Sequence, residues 1–242
     1  LRIAAKTDIG LKRASNQDSY AAGELPDGVA WAVVCDGMGG AAGGNVASSN
    51  AVKIISERIT AAYRPKMSPN SIKNMLISAI TAANISVFDM SHANSELDGM
   101  GTTVVCAVIT NSVAHIAHAG DSRAYAIADE KVFQLTKDHS VVQELVERGQ
   151  ITEKEAKNHP RKNIITRALG VDSELKIDYC EYDMNDNDII ILCTDGFTNF
   201  VDDGEFLSIV ENNSYYEIAD KLVSAANDNG GGDNITVVAL SY

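Results

Sequence analysis

Four aspartates stand where an apolar run meets a turn. Asp36 closes VVCD, Asp121 closes AHAGD, Asp195 closes IILCTD, and Asp233 in GGGDNITVV immediately precedes another apolar run. Each is followed by Gly, Ser or Asn. A single Asp-Gly step is an ordinary turn former. Four carboxylates at the ends of buried runs are a different matter, because gathered at the edge of a core they repel one another and resist desolvation. Divalent cations offset both effects. An all-oxygen donor set favours hard ions, Mg²⁺ or Mn²⁺, over zinc, and Gly37 leaves a backbone carbonyl open to an ion. Near the start, RASNQD brings Arg13, whose guanidinium can grip a phosphate through two parallel hydrogen bonds, and Asp18, which could order water around a cation. These residue types suit cation-assisted work on a phosphate.

The elements that must position them show in the periodicity. Ala47, Ala51, Ile54, Ile55 and Ile59 share one helical face; a second helix opens at Ser68-Pro69, a cap followed by a first-turn proline, and lines up Ile72, Met75, Leu76, Ala79, Ile80, Ala83 and Val87. The period then shortens. TTVVCAVIT and VAHIAHAG flank Asn111-Ser112, and RAYAIA and KVFQLT flank Asp129-Glu130, two expected hairpins. Residues 138 to 170 read as short helices and loops, with Gly149 closing one helix and Thr152 to Glu155 forming a capping box. This stretch is expected to form a surface flap. Strands are expected at Leu175 to Tyr182, Asp188 to Thr194 and through NITVVALSY, and a capping box at Ser214 to Glu217 opens a helix carrying Ile218, Leu222 and Val223. Strand runs grouped between helix runs predict an α+β layered fold, and the absence of a repeat or linker predicts one domain over 1–242.

Composition narrows the function classes. Acidic residues outnumber basic ones 33 to 20, a formal charge of −13, and a field of that sign repels nucleic acid and anionic lipid. Apolar runs fall short of the ~20 residues that span a bilayer, so no membrane segment and a cytoplasmic location are expected. Cys35, Cys106, Cys180 and Cys193 form no CxxC pair and sit mostly inside apolar runs, as reduced core thiols do.

Ordered blocks along almost the whole chain carry a resemblance. RASNQD at 13 to 18, VVCDGMGG at 33 to 40, GMGTT at 99 to 103, AHAGDSRAY at 117 to 125, LTKDHS at 135 to 140, ITRALG at 165 to 170, LCTDGFTN at 192 to 199 and GGGDNITVV at 230 to 238 resemble the bacterial metal-dependent serine/threonine protein phosphatases of type 2C, the PPM family. The resemblance implies a four-layer α/β/β/α sandwich with two central antiparallel sheets. It further implies two or three divalent cations, Mn²⁺ or Mg²⁺: Asp36 bridging two of them, the Gly37 carbonyl on one, Asp195 and Asp233 on the other. Asp121, helped by Asp195, would hold a weaker third ion, Asp18 would hold cation-bound waters, and Arg13 would bind the substrate phosphate. The implied reaction is hydrolysis of phosphoserine and phosphothreonine in proteins. Two cations about 3.5 to 4 Å apart generate a hydroxide near neutrality that attacks phosphorus directly, without a phosphoenzyme. Implied partners are phosphorylated proteins and a bacterial serine/threonine kinase, with the enzyme acting as a monomer.

The chain departs from that family at two positions. Many bacterial relatives continue GMGG with a histidine and, four residues later, a glutamate, where this chain has Ala41 and Asn45. A histidine there could protonate the leaving alkoxide, so the substitution removes that assistance. A phosphoprotein-binding module of the same fold is therefore the rival reading, although Asp36, Asp195 and Asp233 are all retained. A dinucleotide site at Gly37, Gly39 and Ala42 fits poorly, because Asp36 would face the pyrophosphate and no second parallel strand follows. His115 and His118, three apart on a strand, face opposite ways and cannot share an ion. His139 reads as a structural histidine at a helix start, and DMNDND at 183 to 188 as a turn.

Overall fold

Strands buried on both faces read as continuous apolar runs, and the central strands here are of that kind. The computed structural model describes residues 1–241, apart from the side chains of Ala41 and Ala42. Strand β3 (Val29–Met38) sends Trp31, Val33 and Cys35 to one side and Ala30, Ala32 and Val34 to the other. It lies in an antiparallel sheet ordered β2 (Asp18–Leu25), β3, β5 (Val104–Thr110), β6 (Val113–Ala119) and β9 (Asp178–Asp183), with the short β4 (Gly101–Thr102) against the end of β3. The second sheet is antiparallel too. Its order is β1 (Arg2–Asp8), β11 (Ile235–Ser241), β10 (Ile189–Cys193), β7 (Arg123–Ala128) and β8 (Lys131–Gln134).

Between the sheets, small residues such as Ala30, Ala107 and Ala126 interleave with Val34, Ile190, Leu192 and Leu240. Helices α1 (Gly40–Ala62) and α2 (Pro69–Ala93) cover the outer face of the first sheet. The outer face of the second is covered by α6 (Asp203–Asn212) and α7 (Ile218–Asp228), with Phe197 and Phe206 packed edge to face. This is the four-layer α/β/β/α arrangement expected from the sequence. Between β8 and β9, α3 (Val141–Glu147) and α4 (Glu153–Lys157) occupy the 138 to 170 stretch, and α5 (Asp195–Thr198) follows β10 directly.

Local chemistry accounts for most boundaries. Asn111 and Ser112 have φ of 51° and 58°, Asp129 and Glu130 of 48° and 57°, the paired left-handed residues of two-residue hairpins. Ser68 caps α2 by accepting from Ser71 N, and the Thr152–Glu155 capping box is present. Two boundaries differ from expectation. Leu175 and Ile177 pack on the first core without a ladder partner, so β9 begins only at Asp178. Ser214 donates to the Glu217 carboxylate instead of accepting from its N–H, so Tyr215–Glu217 form a 3₁₀ turn and α7 starts at Ile218.

One helix also exceeds the expected run length. α2 has 25 residues and a most apolar window of mean hydropathy 1.2, enough to span a bilayer by length and composition. Its Ile72, Met75, Leu76, Ile80 and Val87 are buried against α1 and the first sheet, while Lys73, Asn74, Ser78 and Thr81 are exposed. A helix polar along one face and packed along the other is a core helix. The four cysteines are free thiols, three of them buried.

Candidate active site

The carboxylates meet at one end of the seam between the two sheets. Asp36 lies opposite Asp18 in the β2–β3 register. Its N–H donates to Thr103 Oγ1 at 2.9 Å, and its carbonyl accepts from Thr103 N at 2.9 Å and Thr102 Oγ1 at 2.9 Å. The side chain is thereby fixed at its root. Gly37 follows because nothing larger fits: a Cβ there would overlap the Gly44 carbonyl and reach Gln17 O at 2.7 Å.

From the second sheet, β10 delivers Asp195 at the start of α5, where Asn199 Nδ2 donates to its Oδ2 at 3.0 Å. Asp233 stands just before β11, its Oδ1 accepting from Asn234 N at 2.8 Å and its Oδ2 from Arg13 Nη2 at 2.6 Å. Asp121 lies in the turn joining β6 to β7, which links one sheet to the other. A cleft of ≈ 480 Å³ is lined by Arg13, Asp36, Gly37, Asp121, Asp195 and Asp233. It opens into a second hollow of ≈ 330 Å³ under α3 and α4, and the two share Asp121, Asn163 and Asp195.

The electrostatics are those of crowded acids. Burial, then the neighbouring carboxylates Asp18, Asp195, Asp121 and Asp233, push the Asp36 carboxyl well above the usual range. Burial and Asp195 raise Asp121 to about 8. Asp18 is pushed to about 7 by burial, although its Oδ2 accepts from Thr236 Oγ1 at 2.7 Å and Thr194 Oγ1 at 2.9 Å. Asp195 is raised by burial and Asp233. Asp18 Oδ1 and Asp195 Oδ1 are buried without a partner.

Hard cations fit this donor set: oxygen donors only, mutual repulsion to be neutralised, and orphaned acceptor atoms. Among the described residues no three His, Cys, Asp or Glu side chains are grouped tightly enough to cage an ion as they stand. The Arg13 guanidinium engages Asp233 Oδ2, so an ion at Asp233 must compete with that arginine.

The model of the family described as Protein phosphatase 2C matches residues 12–234. The chain belongs to the protein phosphatase 2C family. It is 39% identical over 238 residues to a serine/threonine phosphatase stp of Listeria monocytogenes, covering 97% of this chain and 93% of that one. Among solved structures, the serine/threonine phosphatase Stp1 from Staphylococcus aureus superposes with a TM-score of 0.92 at 33% identity, covering 100% of this chain and 95% of that one. The catalytic domain of the serine threonine protein phosphatase PstP, solved in complex with two manganese ions, gives 0.85 at 32% identity, covering 98% and 96%.

In this phosphatase every site residue singled out from the sequence reaches the cleft or its wall. Asp36, Gly37, Asp121, Asp195, Asp233 and Arg13 line it, and Asp18 stands behind Asp36 on the neighbouring strand. His115 and His118 do point opposite ways, toward Tyr179 Oη at 2.7 Å and the Lys137 carbonyl at 2.9 Å. Asn234 is a residue the sequence reading missed. Its Oδ1 accepts from Gln17 N at 2.8 Å, and its Nδ2 donates to Ile9 O at 2.9 Å and Ser15 O at 3.0 Å, stapling the loop that carries Arg13. Thr103, Thr194 and Thr236 were equally unmarked, since a threonine inside a strand looks like any β-former.

Proposed function

We propose that this phosphatase hydrolyses phosphoserine and phosphothreonine in proteins by direct attack of water on phosphorus, and that it reverses a bacterial serine/threonine kinase in the cytoplasm. The observation that carries the reading is the meeting of four aspartates and one arginine in a single cleft. Asp36, the Gly37 carbonyl, Asp195 and Asp233 would hold two divalent cations, and Asp121 a weaker third. Mn²⁺ or Mg²⁺ bound there supplies Lewis-acid activation of the attacking water.

The chain's own residues do the rest. Arg13, 52% exposed at its side chain, is long enough to leave Asp233 and place its fork on two phosphoryl oxygens, where charge develops. Thr194 and Thr236 both donate to Asp18 Oδ2, which leaves Oδ1 as a buried acceptor for an ordered water. Position 41 carries no imidazole, so protonation of the leaving alkoxide would fall to a cation-bound water. The segment of α3 and α4 roofs the hollow next to the cleft and is suited to act as a flap over bound phosphoprotein.

The test is phosphate release from a phosphothreonine peptide with Mn²⁺ or with chelator, beside Asp195→Ala. Turnover that needs Mn²⁺ and disappears in Asp195→Ala supports the reading. Retained phosphopeptide binding without turnover in any metal would transfer the assignment to a binding module.

A further inference from the structure

Asp121 is held by its neighbours, and the hold leads to a residue outside the cleft. Ser122 Oγ lies 2.7 Å from Thr103 Oγ1, the hydroxyl that also accepts from Asp36 N. Arg123 grips Asp138 with both arms of its fork, at 2.8 and 2.7 Å. Gly120 is fixed at both ends of its residue: its N–H donates to His139 Nδ1 at 3.1 Å, and its carbonyl accepts from His139 N at 2.9 Å. Gly120 has φ of +115°, and a Cβ there would meet Thr103 Cγ2 at 2.7 Å, so the turn tolerates no other residue.

The histidine ring is itself determined. A neutral imidazole has one acceptor nitrogen, and Gly120 N and Arg167 Nη1 both reach the ring, at 3.1 Å from Nδ1 and 2.9 Å from Nε2. With Nδ1 accepting from Gly120, the ring proton sits on Nε2 and donates to Asp178 Oδ2 at 3.0 Å, and the Arg167 approach to Nε2 is not a hydrogen bond. Arg167 Nη1 orients that carboxylate by donating to its Oδ1 at 3.0 Å. His118 stacks on the ring, with centroids 4.6 Å apart and planes 10° apart. Burial holds His139 below the ordinary imidazole range, which keeps Nδ1 unprotonated at neutral pH. The same residue anchors the flap, since its carbonyl accepts from Thr166 N at 2.7 Å and Ser140 bridges to Ile165.

We propose that His139 is a positioning residue: through Gly120 it fixes the Asp121 carboxylate, and through Thr166 it ties that carboxylate to the base of the 140 to 167 segment. The inference rests on the reading of Asp121 as a ligand of the weaker cation. Replacing a residue that orients a ligand through hydrogen bonds typically costs about 10- to 100-fold in metal affinity.

Two isosteres separate the two ends of the ring. Asparagine places Oδ1 where Nδ1 lies and keeps the Gly120 bond; glutamine places Nε2 near the ring's Nε2 and keeps only the Asp178 bond. The measurement is titration of the whole protein with Mn²⁺ alone, counting bound ions by the paramagnetic resonance of free Mn²⁺, with circular dichroism as the check of folding. His139→Asn is expected to leave the weaker site unchanged within about threefold, while His139→Gln loosens it about 10- to 100-fold without altering the tighter sites. Equal loosening in both variants, or none in either, overturns the proposal.

Asp121→Asn must remove the weaker site. If it does not, the ligand assignment fails, and the positioning role falls with it. In the unsubstituted protein, a through-bond nitrogen–nitrogen coupling between the Gly120 amide and His139 Nδ1 is expected by magnetic resonance, and its absence overturns the proposal without any substitution.

Discussion

Replacing Asp121 by asparagine should make the cation-free phosphatase more stable, although the residue belongs to its candidate active site. Burial, Asp195 and Asp138 raise the Asp121 carboxyl from 3.8 to about 8. An acid whose folded pKa exceeds its unfolded value binds more protons when folded, so its contribution to stability is complete below pH 3.8 and is lost as pH rises toward 8. At pH 7 that loss spans about three pH units, or about 4 kcal/mol at 1.4 kcal/mol per unit. Asp121 lines an open cleft, so screening by water roughly halves the figure, to about 2 kcal/mol. For a chain of this size, 2 kcal/mol is about 4 to 8 °C in melting temperature. Differential scanning calorimetry in chelator at pH 7 should show that gain for Asp121→Asn, and at pH 4 it should nearly vanish. Saturating Mn²⁺ should close the gap, because an ion present at 100 times its dissociation constant stabilises the parent by about 2.7 kcal/mol. A melting temperature equal to or below the parent's in chelator at pH 7 would refute the view that crowded carboxylates strain this cleft.

Three further outcomes are expected. Arg13→Ala removes the cationic fork, and losing charged hydrogen bonds worth about 1.5–3 kcal/mol should lower kcat/KM on a phosphopeptide about 10- to 100-fold, with Arg13→Lys in between. Ala41→His should accelerate phosphoseryl peptide hydrolysis by about tenfold or more and leave an activated aryl phosphate nearly unchanged, since that leaving group needs no proton; equal gains on both substrates would refute the leaving-group argument. Asn84 is buried in α2, accepts from Gly170 N at 2.8 Å and donates to the Asp172 carbonyl at 3.0 Å. Asn84→Ala leaves the buried Gly170 N–H unpaired and should destabilise the fold by about 2 kcal/mol in urea titration.

Local patterns were legible wherever one short stretch sufficed to specify them. Asn111-Ser112 and Asp129-Glu130 announced their hairpins because only two left-handed residues join strands so tightly. Strands β1 and β2 gave no such signal: RIAAKTD and DSYAAGEL are mostly half-buried and mix charge with alanine. Helix α6 did carry a readable start, Asp202 accepting from Glu205 N at 2.9 Å, but its ten residues bury only Phe206 and Val210. In the site, each aspartate was visible where it ends an apolar run. Their convergence was not, because it depends on how one sheet is laid over the other, which no stretch of chain encodes alone. The same holds for Asn234 and His139, whose partners lie 217 and 19 residues away.

The pairing of β1 with β11 along seven residues, from Arg2↔Ser241 to Asp8↔Ile235, also constrains when the protein can work. During synthesis, all strands of the first sheet have left the ribosome once residue 183 has emerged, so that half can assemble early. In the second sheet β10, β7 and β8 can pair among themselves, but β1 waits unpaired until residues 235–241 arrive to join it to β10. Asp233 and the Asn234 staple for the Arg13 loop come with that last segment. A nascent chain therefore carries no assembled phosphatase cleft until residues 233–241 have emerged, and partial chains that stop short of them would be catalytically silent.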